Sequence, residues 1–348
     1  MLTRADLAAL PAYVPGRALP GAIKLSSNEV PYGPLPGVVE AITRAASQAD
    51  RYPDMAVVAL RERLAQWLGV DPERVATGCG SVGLAEHLTA ATCQEGDEVV
   101  FSWRSFEAYP IIAAVAGVTT VRVPNTPEHG HDLVAMAQAV TDRTRLVFVC
   151  NPNNPTGTAL REAELSSFLD AVPRDVLVVL DEAYREFVTD AAVPDGLAAF
   201  GDRPNVVVLR TLSKAWGLAA LRLGYLAASP EVAATVRKVI TPFSVSGVAQ
   251  AAGLAALEAE AEMRRRAALV VAERERVEQA VRSLLPEVPR TQANFVWLPL
   301  PGSRAAEFAA ECEAGGVIVR AFPPDGVRVS IGTPEQNDAF LSIAEKWF

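Results

Sequence analysis

The segment DVLVVLDEAY, residues 175–184, decides the fold class. Its residues 176–180 are apolar without alternation, which is the pattern of a strand buried on both faces of a sheet. Asp181 follows at the carboxyl end of that strand, where α/β proteins place ligands. An aspartate at this point could equally cap the start of a helix, and the segment alone leaves both interpretations open.

Similar β-branched runs, bounded by turn residues, lie on both sides of this segment. They predict further strands at EVVF (98–101), TTVRV (119–123), RLVFVC (145–150) and NVVVLR (205–210). Helical stretches such as 106–116 and 161–171 lie between them. This alternation predicts an α/β fold with a mostly parallel sheet sandwiched by helices.

The two ends of the chain have a different character. Repeated prolines in residues 1–40 predict an extended N-terminal arm that belongs to a smaller domain. An alanine- and charge-rich stretch at about 247–285 predicts a long helical region, which ends at the prolines that follow it. A strand (294–298), a helix (304–315), two strands (317–321 and 326–331) and a final helix come next. We therefore expect a large domain at 41–245 and a small α+β domain at 246–348.

Composition excludes several classes of protein. The 348 residues are 50% hydrophobic and 21% charged, which is typical of a globular enzyme and not of a disordered chain. A formal net charge of -9 argues against a nucleic-acid partner. The chain has no apolar run of membrane-spanning length, and we expect a cytoplasmic protein. The cysteines form no CxxC pair and the histidines lack metal-ligand spacing, so no metal site is expected.

The stretch RTLSKAWGLAALRLGY, residues 210–225, follows another predicted strand. Lys214 lies there among small and apolar residues. This setting lowers the pKa of an amine and so suits attack on a carbonyl, although a surface lysine is the plainer alternative. Thr211, Ser213 and Arg222 supply hydroxyl and guanidinium donors suited to a phosphate dianion.

Two further loops follow predicted strands. NPNNPTGT (151–158) predicts a rigid turn that presents the amide of Asn154. VATGCGSVGL (75–84) predicts a strand, a glycine turn and a helix start, whose amides at Ser81 and Val82 would bind an anion. The same stretch matches the dinucleotide pattern GxGxxG, but the acidic residue expected after the next strand is absent. A phosphate site is therefore favoured over a complete dinucleotide site.

In this order, GCGS, SFEAY, NPNNPTG, DEAY, SKAWGLAALRLGY and RVSIGTPEQND resemble the fold-type I pyridoxal-phosphate-dependent aminotransferases. The resemblance is closest to the histidinol-phosphate aminotransferase branch, and within it to the actinobacterial aromatic amino acid aminotransferases. It extends over essentially the whole chain, from LPAYVPG and KLSSNEVPYGPLP to the C-terminal motif.

The resemblance implies pyridoxal 5′-phosphate as the cofactor and assigns a role to several residues. Lys214 matches the Schiff-base lysine, which also moves the proton, and Asp181 matches the carboxylate that keeps the pyridine nitrogen protonated. Phe106 matches the aromatic residue that stacks on the cofactor ring. The remaining cofactor contacts would be Tyr184 and Asn154 at the phenolate oxygen, and Ser81, Val82, Thr211, Ser213 and Arg222 at the phosphate.

Other matches concern the partner subunit and the substrate. Tyr52 matches a tyrosine that reaches the phosphate in the partner's site, which implies a homodimer. Arg328 matches the arginine that binds the substrate α-carboxylate in a bidentate pair. The resemblance and the residue types together place substrate contacts at Tyr13, Asn154, Arg320 and Arg328.

The side-chain pocket favours aromatic amino acids, with 2-oxoglutarate as the amino acceptor. Tyr13, Trp103, Phe106 and Tyr109 would provide apolar, aromatic surroundings. The alternative is histidinol phosphate, whose distal phosphate would need a cation such as Arg320. Arg17 or Arg104 are further candidates for that cation.

Three further alternatives are an amino-acid-phosphate decarboxylase of the same fold, a nicotinamide dehydrogenase and the sensor half of a regulator. The sensor would need a DNA-binding domain, for which the chain has no basic element.

Overall fold

The computed structural model describes residues 4–8 and 19–348. The strands are β1 (Ile23–Lys24), β2 (Val75–Cys79), β3 (Glu98–Trp103), β4 (Thr119–Pro124), β5 (Thr144–Cys150), β6 (Leu177–Asp181), β7 (Val206–Thr211), β8 (Leu223–Ala227), β9 (Phe295–Leu298), β10 (Val317–Ile318), β11 (Arg320–Phe322) and β12 (Gly326–Ser330).

The α-helices are α1 (Ala5–Ala8), α2 (Val38–Ala46), α3 (Val58–Leu68), α4 (Gly80–Thr92), α5 (Ala108–Ala116), α6 (Leu133–Gln138), α7 (Glu162–Ala171), α8 (Gly196–Phe200), α9 (Pro230–Val239), α10 (Gly247–Glu258), α11 (Glu260–Leu284), α12 (Arg304–Ala314) and α13 (Pro334–Trp347). Short 3₁₀ helices lie at Pro72–Arg74, Arg185–Phe187 and Ala219–Leu221. Within the described ranges, no helix combines the length and the apolar character needed to cross a bilayer.

A seven-stranded sheet with the order β2-β8-β7-β6-β5-β3-β4 forms the centre of the molecule. Strands β4, β3, β5, β6 and β7 pair in parallel, whereas β8 is antiparallel to both of its neighbours. This confirms the mostly parallel sheet. The strand β8 itself was not among the predicted strands, because its residues LGYLA follow a loop rich in the same small and apolar types.

Strand β6 explains why an unbroken apolar run indicated burial on both faces. Leu177 and Val179 pack into the apolar core on one side of the sheet. Val178 and Leu180 pack into a second core on the other side. Since successive strand residues point to opposite faces, both faces must be apolar when both are covered.

The C-terminal region has a three-stranded antiparallel sheet of order β11-β12-β9. The arm joins this region, because β1 pairs in parallel with β10 and Ser330 N donates to Leu25 O. The division into domains at residues 41 and 246 stays a prediction.

Two elements of this region are divided in the structure. The expected long helical region at 247–285 consists of two helices, α10 and α11, which meet at Ala259 (φ −95°, ψ 23°). The expected strand at 317–321 is also divided. Its first part pairs with β1 and its second part pairs with β12, so the chain changes partner at Val319.

Candidate active site

The carboxyl ends of β5, β6 and β7 lie side by side and form one edge of the central sheet. Cys150 at the end of β5 is in register with Asp181 at the end of β6, and Asp181 is in register with Leu209 of β7. Because β8 runs in the opposite direction, it begins at this same edge. Arg222, which precedes β8 with a left-handed φ of 53°, is thereby brought to the ends of the parallel strands.

A cavity of about 370 Å³ opens at this edge. Most of the residues that the sequence singled out line it, although they come from distant parts of the chain. They are Ser81, Val82, Phe106, Asn154, Asp181, Tyr184, Thr211, Ser213, Lys214, Arg222, Arg320 and Arg328.

Lys214 follows β7 and its side chain projects into the cavity, where its Nζ donates to Ser27 O at 3.1 Å. Burial, and then the positive charge of Arg328, lower the pKa of Lys214 from 10.5 to about 7. A large fraction of this amine is therefore neutral at pH 7, and the neutral form is the one that attacks a carbonyl.

Asp181 is held by a residue whose role the sequence did not reveal. Tyr109 Oη donates to Asp181 Oδ2 at 2.7 Å, and the Tyr109 ring stacks on Phe148 at a centroid distance of 4.5 Å. Within the described part of the chain, the buried Oδ1 of Asp181 has no hydrogen-bond partner. No helix begins at Asp181, so it is not a helix cap. Burial raises the pKa of Asp181 from 3.8 to about 6.

Tyr184 and Asn154 each accept a hydrogen bond within the protein, and their own donor groups remain for the cavity. Asn28 Nδ2 donates to Tyr184 Oη at 3.0 Å, which leaves the tyrosine proton available to the cavity. Burial raises the pKa of Tyr184 well above its ordinary value, so it stays a donor. The Oδ1 of Asn154 accepts from Arg328, which leaves the amide protons of Asn154 available in the same way. Asn28 was missed as a site residue, although it lies in the quoted segment KLSSNEVPYGPLP.

Arg328 lies on β12 and is buried at the cavity wall. Besides its contact with Asn154, its Nη2 donates to Ser26 O at 2.8 Å. Two neutral oxygens thus orient the guanidinium, which brings a positive charge to the cavity. A planar guanidinium held in this way suits bidentate recognition of a carboxylate.

The opposite part of the cavity is built around the start of α4. Gly80 has a φ of 72°, and a Cβ there would come within 2.6 Å of Arg222 Nη2. A Cβ at Gly224 would come within 2.4 Å of Ser81 N. The two glycines therefore let β8 and the guanidinium approach the helix start. Thr211 Oγ1 donates to Ser213 Oγ at 2.9 Å, which adds hydroxyl groups to the amides of this helix end.

The remaining wall of the cavity is largely apolar, and its charged residues are Glu86 and one ion pair. Phe106, Ile111, Ile112 and Phe322 line it. At its edge Arg320 Nη2 lies 2.9 Å from Glu107 Oε2.

Some predicted residues lie elsewhere. Tyr13 is outside the described residues. Tyr52 does not line the cavity of its own chain; it is 83% exposed and stacks on Phe243 at 4.6 Å. Trp103 and Tyr109, predicted as pocket walls, do not line the cavity either. The guanidinium groups of Arg104 and Arg122 lie 4.7 Å and 4.8 Å from the centroid of the Trp103 ring. Tyr109 is buried, and its hydroxyl contacts Asp181. Arg104 pairs with Asp325 instead of entering the cavity.

No cluster of three or more potential metal ligands exists within the described residues. His131, the buried histidine, has its Nε2 2.8 Å from Cys150 O, and burial lowers its pKa to about 4. Cys150 lines the cavity, but burial raises the pKa of its thiol far above the usual range. A neutral thiol is a poor nucleophile, so Lys214 is favoured over Cys150 as the nucleophile of the described cavity wall.

Comparison with known proteins agrees with this arrangement. Residues 20–343 match the model of the family described as aminotransferase class I and II. The chain belongs to this family.

Two similar proteins of the family are named aromatic amino acid aminotransferase. One, from Rhodococcus jostii, is 58% identical over 98% of this chain and 95% of its own length. The other, from Streptomyces coelicolor, is 56% identical over 99% and 97%. A solved structure of histidinol-phosphate aminotransferase from Sinorhizobium meliloti, in complex with pyridoxal-5′-phosphate, superimposes with a TM-score of 0.88 at 27% identity. It covers 100% of this chain and 98% of that one. The fold is thus that of the fold-type I aminotransferases.

The cavity fits pyridoxal 5′-phosphate. The buried Oδ1 of Asp181 can accept a hydrogen bond from a protonated pyridine nitrogen. The start of α4 fits a phosphate, because the absence of a side chain at Gly80 lets the Arg222 guanidinium approach the amides of this helix end. Lys214 and Tyr184 line the same cavity, with Lys214 Nζ 6.0 Å from the centroid of the Tyr184 ring. The chemistry of these groups therefore suits the cofactor's nitrogen, phosphate and aldehyde.

Proposed function

We propose that this aminotransferase exchanges the amino group between aromatic L-amino acids and 2-oxoglutarate. Its cofactor is pyridoxal 5′-phosphate. The observation that carries the substrate proposal is the apolar wall formed by Phe106, Ile111, Ile112 and Phe322, where Arg320 is already neutralised by Glu107. An aromatic side chain buries well against such a wall. The names of the two relatives support the same substrate class.

Each of several residues in the cavity would have a separate role in such a reaction. When bound, the cofactor supplies a reactive aldehyde and a conjugated ring that accepts the electron pair released at the substrate Cα. Arg328 would hold the substrate carboxylate and so set which Cα bond faces that ring. Lys214 would take the Cα proton, since its lowered pKa makes the amine a base near neutrality. Asp181 would hold a positive charge at the ring nitrogen, and Tyr184 would donate to the ring oxygen.

The alternative substrate is histidinol phosphate, because the similar structure from Sinorhizobium meliloti is that of a histidinol-phosphate aminotransferase. Its distal phosphate would require a free cation, whereas Arg320 is paired with Glu107 in the cavity. The test is kinetic: kcat/KM for phenylalanine with 2-oxoglutarate is compared with kcat/KM for histidinol phosphate. A visible absorbance band that changes when phenylalanine is added would show the cofactor in use. A large preference for histidinol phosphate would overturn the aromatic assignment.

We also propose a homodimer in which Tyr52 serves the partner's site. Tyr52 and Phe243 form an exposed aromatic pair, and Met55 and Val58 are exposed nearby in the chain. A concavity of about 550 Å³ beside them is lined by residues of α2 and α10. Exposed apolar groups of this kind favour contact with another protein surface. Cytoplasmic location stays a prediction, which cell fractionation would test.

A mixing experiment tests the role of Tyr52. Subunits carrying Lys214→Ala are mixed with subunits carrying Tyr52→Ala under conditions of subunit exchange. If Tyr52 acts across the dimer, each mixed dimer has one site with both residues intact, and activity rises above that of either variant. A mixture no more active than the Tyr52→Ala variant alone would show that Tyr52 acts in its own chain or not at all.

A further inference from the structure

The cavity has a second cation beside the arginine assigned to the α-carboxylate. Arg320 and Arg328 are register partners on the antiparallel strands β11 and β12. Register partners point to the same face of a sheet, with Cβ atoms about 5 Å apart. Phe322 lies on that face too, with its ring centroid 5.3 Å from the Arg320 guanidinium and 5.4 Å from that of Arg328. Two positive charges therefore face one cavity across one aromatic ring.

These two arginines differ in what surrounds them. Arg328 is held by the neutral oxygens of Asn154 and Ser26. Arg320 is paired with a carboxylate, since its Nη2 lies 2.9 Å from Glu107 Oε2. Glu107 directly follows Phe106 and precedes α5, but its side chain does not cap that helix. Its side chain is 29% exposed, compared with 13% for Arg320, so the carboxylate can turn towards water while the guanidinium stays at the cavity.

We propose that Glu107 is a specificity-determining residue that acts as an exchangeable counter-ion for Arg320. This inference rests on the proposed function, in which one cavity takes an aromatic amino acid and a dicarboxylic 2-oxo acid in turn. With the aromatic substrate, Glu107 stays paired with Arg320. The carboxylate neutralises the guanidinium charge, which the bound aromatic ring would otherwise desolvate without a partner. With the dicarboxylate, the distal carboxylate replaces Glu107 on Arg320 while the other carboxylate binds Arg328.

The exchange explains how one wall serves two kinds of side chain. A free arginine would favour the dicarboxylate strongly and penalise the aromatic ring. An apolar residue in its place would do the reverse, because the distal carboxylate would be buried without a partner. An internal carboxylate at the edge of the cavity lets the site be neutral or cationic according to the ligand.

The test measures the two half-reactions separately in the cofactor-loaded enzyme, and takes the ratio of kcat/KM for 2-oxoglutarate to kcat/KM for phenylalanine. Glu107→Gln keeps the size of the side chain and removes its charge. We expect this variant to raise the ratio about tenfold, because Arg320 no longer has a competing anion. Arg320→Gln should lower the ratio by a similar factor. The double variant should match Arg320→Gln, since Glu107 then has no cation to neutralise.

A neighbouring ion pair supplies the matched control. Arg104 and Asp325 connect the same two segments of the chain, with Nη2 2.5 Å from Oδ2, but neither lines the cavity. Asp325→Asn removes a carboxylate from this connection without changing the cavity wall. It should leave the ratio within about twofold of the wild type, because ion pairs near the surface contribute little. An equal change of ratio in Asp325→Asn and Glu107→Gln would overturn the proposal, because loosening of the two segments would explain both.

A binding measurement separates this proposal from the proposed function. Inhibition constants are determined for glutarate and for 3-phenylpropionate, which carry the two kinds of side chain but no reacting group. Glu107→Gln should strengthen the binding of glutarate, relative to that of 3-phenylpropionate, by the same factor by which it changes the kinetic ratio. An unchanged ratio of inhibition constants would refute the role of Glu107 even if phenylalanine is a good substrate. Absence of turnover with aromatic amino acids would instead refute the proposed function, and the inhibitors would still report on Glu107.

Discussion

Replacement of Asp181 by asparagine tests the electrostatics of the cavity in the protein without cofactor. Asp181 is 3% exposed, and burial raises its pKa from 3.8 to about 6. A raised carboxyl pKa means that the folded state binds its proton more tightly than the unfolded state. The contribution to stability is therefore fully present below pH 3.8 and is lost as the pH rises through 6.

The magnitude follows from the size of that shift. A rise of the pKa from 3.8 to about 6 corresponds to about 3 kcal/mol of unfolding free energy, at about 1.36 kcal/mol for each pKa unit. The asparagine side chain of the variant would carry no charge at any of these pH values. We therefore expect the free energy of unfolding of the wild type, relative to Asp181→Asn, to fall by about 3 kcal/mol between pH 3.8 and about pH 7.

The assay is urea unfolding of both cofactor-free proteins at several pH values across this range. Taking the difference between the two proteins cancels the other titrating groups, and it also cancels any constant cost of the new amide. A difference that does not vary with pH would refute the reasoning, because Asp181 would then titrate alike in the folded and unfolded chains. Bound pyridoxal phosphate should stabilise the wild type far more than the variant, since it supplies the missing positive partner.

Three further substitutions test individual contacts. Lys214→Ala should abolish turnover and the visible absorbance band of the lysine-bound cofactor, while the far-ultraviolet circular dichroism spectrum stays unchanged. Residual turnover with the full absorbance band would exclude Lys214 as the reactive amine. Arg328→Ala should raise KM for both the amino acid and the 2-oxo acid at least about tenfold, because it removes a buried charged donor; unchanged KM values would remove Arg328 from its role. Tyr109→Phe should weaken cofactor binding about tenfold and raise the pKa of Asp181, since a hydrogen bond to the charged carboxylate is lost. Equal cofactor affinity and pH dependence in Tyr109→Phe would show that this hydroxyl only fills space.

Local signals were sufficient for most of the strands and for the order of the functional loops. The run VLVVL before Asp181 indicated burial on both faces, and the structure places alternate residues of β6 in two different cores. Such runs predict burial from the sequence because successive side chains of any strand point to opposite faces of the sheet. The strand β8 was missed because its small and apolar residues do not differ from the loop before it.

Local patterns of strand, turn and residue type were sufficient for the fold class and for the choice of Lys214 and Asp181 as candidates. Arg328 became a candidate through the family resemblance, which rests on the order of the motifs along the chain. Which of these groups meet depends on how distant segments of the chain pack together. Tyr109 reaches Asp181 across 72 positions, and Arg320 reaches Glu107 across 213. The shifted pKa values of Lys214 and Asp181 also belong to the folded chain alone. Their cause is the removal of water from charged groups, and no short segment removes water until distant segments pack around it.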